Sequence, residues 1–243
     1  MTFSVRLWLM TMILVFTTTT GAGLALAASN SVQPNEQHWS FNGIFGKFNR
    51  KEVQRGLQVY LEVCSSCHGL EYVAYRNLEE IGYNEEQIKA IASQYEVEDG
   101  PNTVGEMFSR PARPSDYFKS PYANDMEAKM MNNGALPPDL SLIYKARPGG
   151  ADYIYSLLTG YEEDSESHEI PEGLYYNPYF PGGAVAMPQP LYGDDVEYLD
   201  GTEATIEQEA RDVAVFLTWA AEPSLESRKK LGIKVLLFLA VLS

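Results

Sequence analysis

The chain has 243 residues, of which 45% are hydrophobic, and a formal charge of −15 from 33 acids against 18 bases. A chain this acidic has no basic face for gripping nucleic acid; it suits a basic partner. Its two cysteines exclude a disulfide framework and leave no third thiol for a cysteine-rich zinc site.

Residues 1–27 read as a secretory signal peptide. Arg6 gives the positive start, Leu7 to Phe16 the apolar run, and Ala25-Leu26-Ala27 a small-x-small cleavage site. One arginine is too few for an Arg-rich mitochondrial transit peptide, so export to a bacterial periplasm is expected. An uncleaved anchor is the alternative, disfavoured by the Thr-rich and Gly-rich flank. Residues 28–228 are expected to form one domain, long enough for its own core.

Residues 28–50 are aromatic and rich in Gly and Asn. From Lys51 to Cys64, Val53, Leu57, Tyr60, Leu61 and Cys64 recur at helical spacing, with Gly56 on or near that face. Residues 79–98 read as a short polar helix and 99–124 as loop. Helical pieces are predicted around Asn124 to Asn132 and from Ala151 to Leu158. Residues 160–201 hold repeated glycines, prolines, tyrosines and acids; so long an irregular stretch points to function. Thr205 to Ala221 is the second clear amphipathic helix, on Ile206, Ala210, Val213, Leu217 and Ala220. Thr205 and Gln208 read as its capping box, and Pro223 marks its end. The two main helices are expected to cross, with Gly56 beneath Leu217 or a neighbour. The fold class is mainly α, with long loops and little strand signal.

Arg228-Lys229-Lys230 precedes Leu231 to Leu242, which is apolar except for Lys234. A spanning helix needs about 20 apolar residues. Residues 229–243 therefore read as the start of a C-terminal membrane anchor that is cut short, or as a tail lying in the interface.

The chemistry centres on Cys64-Ser65-Ser66-Cys67-His68. C-x-x-C-H is the attachment pattern of a c-type haem: two thiols for the two vinyl groups, and an imidazole for the iron. A redox dithiol would not need His68, and no βαβ pattern surrounds it. An electron carrier needs a second axial ligand. Met187, in Pro181 to Pro190, sits in a proline-framed loop that can press a thioether onto the metal; a His/Met pair raises the reduction potential. Met126, Met130 and Met131 have helical spacing and read as packing residues. His38 and His168 are the other ligand candidates, both among polar residues. Pro137-Pro138 can supply a carbonyl to orient the ligand imidazole. Arg147 and Tyr153, near that loop in sequence, are candidate donors to the propionates.

These residues resemble the cytochrome c1 family, haem subunits of ubiquinol–cytochrome c oxidoreductase (cytochrome bc1) complexes. The resemblance is carried by the haem motif with Tyr72-Val73-Ala74-Tyr75-Arg76, by Asn132 to Leu140, Tyr153 to Tyr161, Gly173 to Pro181, and Trp219-Ala220-Ala221-Glu222-Pro223. It implies a cytochrome-c-like haem domain in the periplasm, anchored to the bacterial inner membrane by one C-terminal helix. It implies one covalent haem c, with Cys64 and Cys67 as thioether sites, His68 and Met187 as axial ligands, and Arg147 and Tyr153 at the propionates. The implied partners are cytochrome b, a Rieske iron–sulfur protein as electron donor and a soluble c-type cytochrome as acceptor. Such a chain is not an enzyme by itself. Glu162-Glu163-Asp164 with Glu166, and Asp194-Asp195 with Glu197, are candidates for steering a basic cytochrome. The rival reading is a periplasmic haem enzyme, peroxidase-like, with an open sixth position at the iron.

Overall fold

The computed structural model describes residues 32–162 and 170–242. The expected signal peptide, His168 and most of the first acidic cluster lie outside the described residues. In chain order the elements are α1 (Arg50–Glu62), 3₁₀ segments at Cys64–Ser66 and Tyr75–Ile81, α2 (Glu85–Ala92), β1 (Glu96–Asp99), β2 (Phe108–Pro111), α3 (Asp125–Met131), α4 (Ile143–Ala146), α5 (Gly150–Thr159), β3 (Tyr175–Tyr176), β4 (Ala184–Val185), α6 (Ile206–Ala221) and α7 (Leu225–Leu242). The protein is mainly helical, as the sequence indicates. The polar stretch 79–98 is not one helix but a 3₁₀ segment, α2 and β1. The strands form two short antiparallel hairpins, with Glu96 opposite Pro111 and Tyr175 opposite Val185.

The core forms where α1 crosses α6. Asn49 caps α1, its side chain accepting from the Lys51 amide at 3.2 Å. Val53, Gly56, Leu57, Val59 and Tyr60 are buried along α1. Ala210, Val213, Ala214, Phe216 and Leu217 answer them from α6. A Cβ added at Gly56 would lie 2.0 Å from the Asp212 carbonyl oxygen and 2.7 Å from the Phe216 Cβ. The crossing is the expected one, and the neighbour of Leu217 that Gly56 meets is Phe216, together with the Asp212 carbonyl. Beyond it, Tyr60 packs on Phe216 and Phe118, with ring centroids 5.7 and 6.0 Å apart, and Phe118 continues to Tyr75 at 4.2 Å.

Polar groups are buried at the same crossing. Arg55 on α1 grips Asp212 on α6 with both arms, at 2.7 and 2.9 Å, and reaches Asp200 at 2.9 Å. Thr205 caps α6 through the Gln208 amide at 3.2 Å. The box is half made, because the Gln208 side chain turns forward to Asp212 at 2.9 Å. Glu209 is wholly buried. Its Oε1 accepts from the amides of Asp195 and Val196 at 3.0 and 3.3 Å, while its Oε2 has no hydrogen-bond partner among the described residues. Asp195 in turn accepts from the amides of Tyr192 and Gly193, at 2.6 and 3.0 Å. That carboxylate is committed to its own loop, which leaves exposed Asp194 and Glu197 as the outward members of the second acidic cluster.

Three methionines overturn an expectation. Met126, Met130 and Met131 are 70%, 80% and 72% exposed, because α3 buries only Ala128. Among the described residues no helix is long and apolar enough to cross a membrane. The helix at the expected anchor, α7, carries Glu226, Arg228, Lys229, Lys230 and Lys234 between Leu225 and Lys234 and leaves its apolar remainder exposed.

Two expected outcomes test this core. Gly56→Ala forces α1 off a backbone carbonyl, and overpacking of this kind costs about 1–3 kcal/mol or more; the midpoint of urea denaturation falls accordingly. Burial, and next the neighbouring Asp195 carboxyl, push Glu209 up to about 7 from an ordinary 4.5. The folded state thus holds a proton that the unfolded chain releases. The stability this gives is complete below the unfolded value and is lost as pH rises through about 7. Glu209→Gln keeps the oxygen for both amides and removes the titration. Between about pH 5 and about pH 8 the variant therefore loses about 1–3 kcal/mol less stability than the native chain, read from urea midpoints at each pH.

Candidate functional site

The Cys64–His68 segment begins where α1 ends. The Val63 amide still bonds to the Val59 carbonyl at 2.9 Å. The chain then tightens, with the amides of Cys67 and His68 both reaching the Cys64 carbonyl, at 3.1 and 2.9 Å. Ser65 and Ser66 hold the turn by bonding back to Leu61 and Val63, at 2.7 and 2.8 Å. Two half-buried thiols and an imidazole leave this one turn. The thiols are not bonded to each other. Burial, and then the neighbouring Cys67, push the Cys64 thiol up to about 12. A redox dithiol needs a lowered value instead.

His68 is held by the proline loop. Its Nδ1 lies 2.7 Å from the Pro138 carbonyl oxygen. A carbonyl can only accept, so Nδ1 carries the proton and Nε2 keeps its lone pair for another partner. Burial lowers the affinity of this imidazole for a second proton, against the Pro138 carbonyl and the Asp139 charge, which raise it. Asp139 staples the two chain segments together. Its Oδ2 accepts from the Glu71 amide and its Oδ1 from the Ser141 amide, both at 2.8 Å. The Leu140 amide bonds to the Gly69 carbonyl at 2.9 Å, and the Tyr60 hydroxyl donates to the His68 carbonyl at 3.2 Å.

Arg147 lies close enough to Tyr153 to act on its phenol, and Met187 lies on a loop tied to Tyr161. Among the described methionines Met187 alone is half-buried against the core; Met107 and the three of α3 are exposed. The Tyr161 hydroxyl donates to the Met187 carbonyl at 3.0 Å. Tyr153 is buried on α5. Burial raises its phenol, and the positive charge of Arg147, itself exposed, opposes this. Met187 follows the β3–β4 hairpin, whose turn puts Gly182 and Gly183 at φ +87° and +75°, a region where a side chain strains the backbone. Buried Asn177 ties the hairpin to α5 by donating to the Leu157 carbonyl at 2.8 Å. His38 is exposed.

The donor set fits a covalently attached haem. It offers two unpaired thiols in one turn, an imidazole with its outer nitrogen bare, and a half-buried thioether on a braced loop. Among the described residues no cluster of three or more His, Cys, Asp or Glu side chains could hold a metal ion on its own. Sequence reasoning missed Asp139, Tyr60, Tyr161 and Asn177. Of these only Asp139 left a signal: an aspartate after two prolines and two residues before a serine is an Asx-turn pattern.

Asp139→Ala unties two backbone amides beside His68, at about 1–3 kcal/mol for groups left unsatisfied. The expected outcome is a urea midpoint lowered by that amount with the helical circular dichroism of the folded state unchanged.

The model of the Cytochrome C1 family matches residues 39–243. The chain is 49% identical to cytochrome c1 of Rhodospirillum rubrum, over 91% of this chain and 90% of that one. It is 48% identical to the mitochondrial cytochrome c1 haem protein of Saccharomyces cerevisiae, over 89% and 70%. It is also 49% identical to part of cytochrome b/c1 of Bradyrhizobium diazoefficiens, over 89% of this chain and 35% of that longer one. With a family match across most of its length and relatives near half identity from bacteria to yeast, the chain belongs to the cytochrome C1 family.

Proposed function

We propose that the chain is an electron-transfer subunit of a membrane-bound quinol–cytochrome c oxidoreductase. The observation that carries this reading is the hydrogen bond from His68 Nδ1 to the Pro138 carbonyl beside two unpaired cysteines. Cys64 and Cys67 would hold the haem by thioether bonds, and His68 Nε2 and Met187 Sδ would bind its iron. Arg147 and Tyr153 serve the propionates. When bound, haem c supplies reversible one-electron chemistry at its iron. The protein's share is to fix the imidazole, to keep it neutral, to exclude water with the half-buried Met187 loop, and to present a docking face.

The donor is read as a Rieske iron–sulfur protein and the acceptor as a soluble basic c-type cytochrome. A relative whose name joins b and c1 supports cytochrome b as a neighbour. Residues 28–228 are read as the periplasmic haem domain, residues 1–27 as a removed signal, and residues from 229 as the start of the anchor to the inner membrane. The acidic composition, −15 overall, favours a basic acceptor.

Carbon monoxide separates this reading from a haem enzyme. The reduced native protein at neutral pH is expected to ignore carbon monoxide, and Met187→Ala to bind it. Met187→His is expected to stay six-coordinate with its reduction potential lowered by a sizeable part of the roughly 0.8 V that axial ligands command. Carbon monoxide binding to the native reduced protein overturns His/Met ligation in favour of an open sixth position.

A further inference from the structure

The turn that leads into α1 is built onto the root of α7. The amide of Lys47 bonds to the Ser40 carbonyl at 3.0 Å, and that of Gly46 to Gly43 at 3.4 Å, closing a tight turn. Lys229 on α7 donates to the carbonyls of Phe41 and Gly43 at 2.6 and 2.7 Å, and reaches Gly46 at 3.5 Å. Glu226, one turn earlier on α7, accepts from the Phe48 amide at 3.1 Å and from Arg50 at 2.9 Å. Phe41 and Phe48 are buried beneath, their ring centroids 5.3 Å apart. The turn is therefore braced on both sides. Yet its tip spends two large apolar side chains on solvent: Ile44 is 68% exposed and Phe45 81%.

Three observations choose the occupant. First, the turn is bonded through Lys229 to the root of α7, and beyond that root Leu231, Leu236, Leu237 and Phe238 are 61–68% exposed. Second, exposed Lys47 and Lys230 stand at this junction in a basic collar with Lys229, which is held by the turn carbonyls, and Arg228, which is paired with Glu222, on a chain otherwise strongly acidic. Such a collar complements anionic headgroups. Third, a protein partner would bury an aromatic anchor in a shaped pocket. Two side chains at the tip of a narrow turn instead suit a fluid phase that closes around them.

We propose that the 41–46 turn is a membrane-interface wedge. Ile44 and Phe45 enter the headgroup–acyl boundary of an anionic bilayer beside the root of α7, and Lys229 couples their depth to that helix. A helix alone leaves the domain free to tilt and swivel; a second contact locked to its base fixes the face that the domain turns to its partners. This rests on the reading of α7 as the membrane anchor.

The test places spin labels on Phe45→Cys, Leu237→Cys and Val104→Cys in the mature holoprotein, with vesicles of phosphatidylcholine containing phosphatidylglycerol. Val104, 74% exposed, sits in the loop between β1 and β2. Paramagnetic relaxation by lipid-soluble oxygen is compared with relaxation by a water-soluble nickel chelate. The wedge predicts that the labels at 45 and 237 both shift toward oxygen while the label at 104 stays with nickel. Oxygen preference at 237 with nickel preference at 45 overturns the wedge and leaves the anchor reading standing. Nickel preference at both overturns the anchor reading and the wedge together. As a second readout, Ile44→Ser with Phe45→Ser lowers vesicle partition about tenfold or more with the melting temperature unchanged. Unchanged partition overturns the wedge.

Discussion

The structure depends on the close approach of two helix backbones at Gly56. Only a residue without a Cβ lets α1 lie against the Asp212 carbonyl of α6, so the separation and angle of the two helices are set there. The Cys64–His68 segment hangs from the end of that crossing. The last turn of α1 delivers Cys64, Cys67 and His68, and Tyr60, packed on Phe216 of α6, also bonds to the His68 carbonyl. A shift of the helices would thus move the imidazole directly, with no flexible segment to absorb it.

The crossing also carries buried charge, which is a costly way to hold two helices. Asp212 is wholly buried, and it is tolerable there because Arg55 meets it in a two-armed bond and Gln208 adds a third contact. Removing either partner strands a charge, whereas apolar residues of equal volume can be as stable. What the polar set gives in return is register. Arg55 reaches both α6 and Asp200, and Glu209 reaches the amides of Asp195 and Val196. The loop between the Met187 segment and α6 is thereby indexed to both main helices. Greasy contacts alone would let it slide.

The helices and the haem motif were legible because their signals are local. Spacing of three and four marked α1 and α6 on Val53, Leu57 and Tyr60 and on Ala210, Val213 and Leu217, and Cys64, Cys67 and His68 are contiguous. The Pro137-Pro138 loop was legible as a rigid carrier of a carbonyl. What escaped was decided by distant partners. Gln208 satisfies a capping-box pattern yet spends its side chain on Asp212, because a wholly buried carboxylate outbids the amide of half-buried Thr205. Met126 and Met130 show helical spacing, but α3 has only seven residues and lies over too little core to cover them. The hairpins β1–β2 and β3–β4 are too short for alternation to register. Asn177 looked like one polar residue among many in an irregular stretch, and only the fold aims it at the Leu157 carbonyl.

The two segments proposed to hold the haem iron are braced in different ways, and the difference follows from what each would supply under that proposal. His68 needs a fixed tautomer, so its support is polar: a backbone carbonyl at 2.7 Å, itself positioned by Asp139. A thioether has no proton and little directional preference. Met187 therefore needs only its backbone held and its side chain kept from water, and a hydroxyl from Tyr161 with half-burial against the core is enough. A rigid nitrogen side can sit on a helix end, while the sulfur side can ride on a loop of glycines and prolines. Under the proposed ligation the long irregular region is no defect in packing; it is the form that a soft sulfur ligand permits.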